Sequence, residues 1–137
     1  MNAPHTLQPI GRVSSSIMTR EDAPRQGDEG APPAWLEFEP AYEAGLRDLA
    51  TGDEILVITW LHRADRTTLR VYPRGDRERG LRGVFSTRSP DRPNPIGIHR
   101  VHILEMDSAL RFLVSNMEAI DGTPIVDIKP VLKPQPR

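Results

Sequence analysis

The stretch "GVFSTRSPDRPNPIG", residues 83–97, carries the side chains best equipped for recognition chemistry. Arg88 and Arg92 each present a planar guanidinium fork that matches a carboxylate or a phosphate. Ser89 adds a hydroxyl. Asn94 offers a donor and an acceptor together, which suits an amide or a base edge. Pro90, Pro93 and Pro95 lack a backbone N–H and restrict the residues before them, so the segment reads as a stiffened loop rather than a strand or helix. Stiffening leaves less entropy to lose when a ligand arrives. The plainer alternative is a proline-rich corner whose arginines brace neighbouring carbonyls.

A second stretch, "DGTPIVDIKP" at residues 121–130, repeats the recipe. Asp121, Gly122, Thr123 and Pro124 make a turn with exposed backbone groups. Asp127 and Lys129 then share a strand face by their two-residue spacing. Two such loops in a small domain suggest one polar ligand between them.

Other chemistries find less support. The chain has no cysteine, which removes disulfides, thiolate metal sites and cysteine nucleophiles. It has no P-loop, no G-x-G-x-x-G and no G-x-S-x-G nucleophile elbow. His99 and His102 are three apart in an expected strand and point to opposite faces, so they do not share a metal. His62 reads as a structural residue at a strand end. Asp121 and Asp127 lie in no recognisable calcium loop, and no metal is expected. No apolar run approaches the roughly 20 residues of a membrane span, and the N-terminus lacks the pattern of a signal peptide. A cytoplasmic protein without membrane contact is the expectation. Net charge is −1, but its distribution is uneven: residues 20–54 hold ten acids and three arginines, and residues 62–100 hold ten arginines and four acids. The arginine-rich 63–100 region reads either as a solvated face or as a basic surface for nucleic acid.

The elements that must position these residues are mostly strands. Leu7–Ser15 reads as a first strand and Ala34–Phe38 as a second. Glu54–His62, "EILVITWLH", is nearly continuous in apolar residues and is expected to be the most buried. Thr67–Tyr72 alternates cleanly. Ile96–Asp107 and Ala109–Met117 flank a short polar turn and read as a hairpin. The only helix candidate is Pro40–Leu49, with proline at a first-turn position and Tyr42, Leu46 and Leu49 on one face. At 137 residues the chain is expected to be one domain over 1–137, with flexible ends at 1–6 and 131–137. The fold class expected is mainly all-β: a single curled, barrel-like antiparallel sheet with one short helix.

The two polar loops closely resemble the hallmark motifs of the TrmO family, also called TsaA-like or YaeB-like proteins. "PIGRVSS" and "APRQG" resemble that family's first strand and the loop after it. The resemblance spans about Pro9 to Pro130. It implies a β-barrel-like domain that binds S-adenosylmethionine, a homodimer with the cofactor near the subunit interface, and N-methylation of threonylcarbamoyladenosine beside the tRNA anticodon. By position it assigns Arg88, Ser89, Arg92 and Asn94 to one cofactor-binding motif and Asp121, Gly122, Thr123, Pro124 and Asp127 to another. Ser14, Ser15 and Ser16 occupy the loop after the first strand, and Arg25 and Gln26 the "PRQ" element. The chain departs from the family pattern at Ser14–Ser16, where Arg-Ser-Pro is usual, and at Asp53-Glu54, where Ser-His is usual. The tRNA contact it implies would run through the 63–100 region. Two alternatives remain: a methyltransferase of the same fold acting on a small molecule or another RNA, and a module that holds S-adenosylmethionine without turnover. The general base is not assigned; Asp127 and Asp91 are the candidates.

Overall fold

Residues 4–24 and 30–133 are described by a computed structural model of the chain. The expected flexible ends therefore fall partly outside the described residues. Six strands close into an antiparallel barrel in the order β1 (Gly11–Ser14), β2 (Ala34–Phe38), β7 (Arg111–Val114), β6 (Ile96–Ser108), β3 (Glu54–Trp60) and β8 (Pro124–Pro130), with β8 returning to β1. Closure leaves no strand edge among the six unpaired. Two further strands, β4 (Arg70–Val71) and β5 (Arg82–Gly83), pair only with each other.

The thirteen-residue β6 makes closure possible. Its first half pairs with β3 from Ile96 to His102, and its second half pairs with β7 from Ile103 onward. The register shifts between Ile103 and Glu105 and again between Met106 and Ser108. Such irregularities bend a strand and sharpen its twist, so one strand serves two neighbours around a corner.

Alternation then decides what fills the barrel. Along β3, Ile55, Val57 and Thr59 are buried and Leu56, Ile58 and Trp60 are half-buried. The continuous apolar run of this strand is thus split between two faces. The interior is packed by Val13, Leu36, Phe38, Ile55, Val57, Val101, Ile103, Phe112, Val114 and Ile125, and the Phe38 and Phe112 rings lie 5.1 Å apart. Burying one such side chain contributes roughly 1.5–3 kcal/mol. The interior is apolar except at one end. There the inward positions of β3 and β6 are Thr59, Gly97 and His99, and this end opens toward the functional cleft.

Two expected elements take a different form. The helix at Pro40–Leu49 is a seven-residue 3₁₀ run, Pro40–Leu46, anchored by a single buried side chain, Leu46. It ends before Asp48, whose φ of 75° is left-handed. The strand expected at Thr67–Tyr72 reduces to Arg70–Val71, because this segment lies outside the barrel and Leu69 is 61 % exposed. Alternation without a sheet face to bury against does not make a long strand. The hairpin of β6 and β7 forms as expected.

Candidate functional site

A cleft of about 1050 Å³ lies between the polar end of the barrel and the segment joining β3 to β6. Its barrel side includes Gly97, His99, Glu118, Ala119 and Thr123, and its outer side includes Arg63, Tyr72, Arg82, Arg88, Ser89 and Arg92. The volume falls at the upper end of the range for small-molecule sites. Among the described residues, seven arginines but only two carboxylates, Asp91 and Glu118, line it. The cleft therefore favours an anionic or mixed-charge ligand.

The outer side is held by side chains bonded to backbone. Arg92 donates from Nε to the Ser89 carbonyl at 2.8 Å and from Nη2 to the carbonyls of Val84 and Thr87 at 2.7 and 2.6 Å. Its fork is committed to bracing the loop, the alternative its sequence left open. Ser89 is likewise turned inward, its hydroxyl accepting from the Asp91 N–H and its own N–H donating to the Thr87 hydroxyl. Asp91 accepts from the Asp65 N–H at 2.8 Å with one oxygen and pairs with Arg20 at 2.9 Å with the other. Arg88 differs: it is exposed, lines the cleft, and has no partner among the described residues. Of the two arginines in this loop, only Arg88 has a guanidinium free for a ligand.

Asn94 is exposed outside the cleft, its side-chain oxygen accepting from Arg66 at 3.3 Å. Arg66 also donates to the Pro93 carbonyl at 2.7 Å and lies over the Trp60 ring, 5.1 Å from its centroid. Together these contacts pin the proline-rich corner to the end of β3.

The second motif is stitched to β1 and the loop that follows it. The N–H groups of Asp121, Gly122 and Thr123 donate to the carbonyls of Ile17, Val13 and Ile120. The Thr123 carbonyl accepts from the Val13 N–H, and an Asp121 carboxylate oxygen accepts from the Ser15 N–H at 3.0 Å. Gly122 sits at φ 83°, which favours glycine at this turn. With those three N–H groups engaged, the turn keeps none of them for a ligand. Thr123 alone of the motif lines the cleft. Pro124 opens β8, opposite Arg12 of β1. Asp127 is exposed on the outside of β8, 3.5 Å from Lys129, which it shares a face with as its spacing requires. It does not face the cleft. Ser14 ends β1, half-buried; Ser15 is buried, its hydroxyl accepting from the Ile17 N–H at 3.0 Å; Ser16 is exposed. None of these three serines lines the cleft. Arg25 and Gln26 lie outside the described residues.

What the sequence did not bring together is a buried polar chain at the floor of the cleft. His99 is 4 % exposed, with Nε2 2.7 Å from the hydroxyl of Thr59 and Nδ1 2.7 Å from a carboxylate oxygen of Glu118. Thr59 is fully buried, whereas Glu118 keeps 19 % of its side chain exposed. Room for this chain comes from Gly97, directly opposite Thr59: a Cβ there would lie 2.5 Å from the Thr59 hydroxyl and 2.9 Å from His99 Nε2. The one sequence signal was a lone acid between buried Met117 and Ala119, just before the "DGTP" turn. At the cleft rim, His62 is held below the usual imidazole range, first by partial desolvation and then by the charges of Arg63 and Arg12.

Residues 12–135 match the family described as the tRNA-methyltransferase O N-terminal domain. A probable S-adenosyl-L-methionine-binding protein of Methanothermobacter thermautotrophicus is 44% identical over 124 residues, covering 90% of this chain and 88% of that protein. An S-adenosyl-L-methionine-binding protein of Archaeoglobus fulgidus is 44% identical over 123 residues, covering 90% and 86%. The crystal structure of TrmO from Pseudomonas aeruginosa superposes with a TM-score of 0.74 at 30% identity over 95% of this chain. The chain spans 57% of the length of that solved protein.

Proposed function

The chain belongs to the tRNA-methyltransferase O family, and on that premise we propose that it binds S-adenosylmethionine and transfers its methyl group to a nitrogen of tRNA. The observation that carries this reading is the cleft, where the first motif and the polar end of the barrel meet around a free guanidinium. S-adenosylmethionine, when bound, supplies an electrophilic methyl on a sulfonium centre. The residues present fit such a ligand: the volume is sufficient, and the lining mixes apolar surface with cations for its α-carboxylate. Among the described residues, Arg88 of the first motif has a guanidinium free to hold that carboxylate as a bidentate pair. Arg92 acts one step back, by fixing the loop that aims Arg88. The barrel floor shields the reacting end from water, which strengthens every polar contact made there. Methyl transfer needs mainly alignment, and a rigid barrel facing a braced loop supplies it.

The finer reading is that the acceptor is the N6 nitrogen of threonylcarbamoyladenosine next to the anticodon, in the cytoplasm. It is supported by the arginines along the outer lip, of which Arg63, Arg82 and Arg88 are exposed and suited to phosphate. We also propose a homodimer. Ile96 and Ile98, 45 % and 48 % exposed on β6, leave apolar surface at the cleft, which a second copy would cover. Light scattering at micromolar concentration is expected to give twice the chain mass.

Titration calorimetry tests the cofactor. Ligand at ~100 times its dissociation constant is expected to stabilise the fold by about 2.7 kcal/mol. Absence of binding by both S-adenosylmethionine and S-adenosylhomocysteine sinks the proposal. Incubation with tRNA from a TrmO-deficient strain, followed by nucleoside mass spectrometry, tests the acceptor. Binding without methylation of any tRNA would leave a module that only holds the cofactor.

A further inference from the structure

We propose that Glu118 is the proton acceptor of the cleft, held in place by His99 and Thr59; this rests on the methyltransferase reading above. A carbamoyl-substituted nitrogen is a poor nucleophile while its lone pair is delocalised into the carbonyl and the ring. It must shed its N–H proton as it attacks. In the balanced step, the nitrogen forms its new bond to carbon, the carbon–sulfur bond breaks with its pair left on sulfur, and the N–H proton passes to a carboxylate oxygen of Glu118. No oxidant or metal is required.

Three observations select Glu118. First, only two carboxylates line the cleft among the described residues, and Asp91 has both oxygens engaged, one by the Asp65 N–H and one by Arg20. Glu118 has one oxygen bonded to His99 and the other without a protein partner among the described residues, on a side chain 19 % exposed to the cleft. The candidates read from sequence are thus displaced: Asp91 by its own ties, Asp127 by its place outside the barrel. Second, His99 is buried and fully bonded, so it positions Glu118 rather than meeting a substrate. Thr59 has its hydroxyl 2.7 Å from Nε2. A hydroxyl proton donated there leaves Nδ1 as the protonated nitrogen, and Nδ1–H then donates to Glu118. Donation lowers the freedom of the carboxylate and fixes which oxygen faces the cleft. Third, the arrangement depends on a glycine. Gly97 stands where any side chain would collide with Thr59 and His99, so the strand is shaped around this chain of hydrogen bonds.

The test has two arms. Nitrogen-15 spectroscopy of His99 in the ligand-free protein reads the tautomer, and a proton on Nδ1 is expected in the wild type. In E118Q that preference is expected to weaken, since an amide can donate as well as accept. A wild-type His99 protonated only on Nε2 would overturn the proposal. In the second arm, E118Q is expected to bind S-adenosylmethionine within about threefold of wild type while single-turnover methylation of threonylcarbamoyladenosine tRNA falls ~100-fold or more, the usual worth of a general base. Turnover equal to wild type, or a loss of cofactor affinity as large as the loss of rate, would overturn it. E118D, which keeps the charge but withdraws the carboxylate, carries the same arm if E118Q does not fold. T59V is expected to shift the tautomer and lower kcat with KM unchanged. A wild-type chain that binds no S-adenosylmethionine overturns the methyltransferase reading and this role with it; an active wild type with an equally active E118Q overturns only the role.

Discussion

The two sides of the cleft are built on different physics. The barrel side is fixed by burial: inward side chains alternate along paired strands, and the register is set by which residues can enter the core. The outer side, residues 61–95, has two two-residue strands, several single 3₁₀ turns and few buried apolar side chains, Val84 and Pro95. It keeps its shape through prolines and through arginines bonded to carbonyls. A wall made by burial is stiff and insensitive to charge. A wall made by guanidinium–carbonyl bonds is adjustable and sensitive to any change of side-chain geometry. The site places its buried polar chain on the first and its ligand-facing cations on the second.

Substitutions on the two sides therefore have separable readouts. The largest effect is expected for Phe112→Ala, which empties the middle of the barrel and should cost about 3–5 kcal/mol of global stability in urea titrations. Amide exchange should rise in every barrel strand at once. Arg92→Lys comes next. An ammonium keeps the charge but cannot reach the three carbonyls of Val84, Thr87 and Ser89 together, and about 1.5–3 kcal/mol of charge-assisted bonding is expected to be lost. Here exchange should rise in residues 84–95 while the barrel stays protected. If both variants opened the same amides, the two sides would be one cooperative unit and the distinction would fail.

Gly97→Ala tests where the two sides meet. The added methyl collides with the Thr59 hydroxyl and His99, and overpacking of this kind costs about 1–3 kcal/mol. It should also disturb the His99 tautomer, which Phe112→Ala should not. Arg88→Gln is expected to move stability by less than ~0.5 kcal/mol, because the side chain has no partner among the described residues. Its effect should appear only in calorimetry, as a tenfold to hundredfold weaker S-adenosylmethionine affinity. Weak binding together with a lowered Tm would make Arg88 a second brace. The smallest effect concerns acid. The Asp65 carboxyl lies below its ordinary value of 3.8, first through the Thr67 hydroxyl and then through the Thr67 backbone N–H. A carboxyl depressed on folding adds stability above its unfolded value that is lost as pH falls through the folded value. Outer-side protection should thus decline below about pH 4, and Asp65→Asn should flatten that decline.

The residue types and their periods determined much of this protein. An almost unbroken apolar run marked β3, and a short polar turn between two strand-like runs marked the β6–β7 hairpin, because a core strand needs side chains to bury and a chain reversal needs turn residues; the cleanest period-two alternation, Thr67–Tyr72, marked a segment that keeps only two strand residues. The prolines and the "DGTP" turn marked the two loops, because those residues restrict the backbone wherever they stand. The resemblance of the loops to a known family pointed to the cofactor. The rest depended on pairings that no local pattern encodes. Whether the sheet closes rests on β1 meeting β8, more than a hundred residues away, and on two irregularities in β6. Arg88 and Arg92 are chemically identical in sequence, and the positions of three carbonyls make Arg92 a brace while Arg88 has no partner among the described residues. His99, Thr59 and Glu118 lie 40 and 19 residues apart, and their hydrogen bonds exist only because β3 and β6 pair in a register that sets Gly97 against Thr59. Local chemistry chose the parts, and long-range register, set by what the core can bury, decided which of them touch.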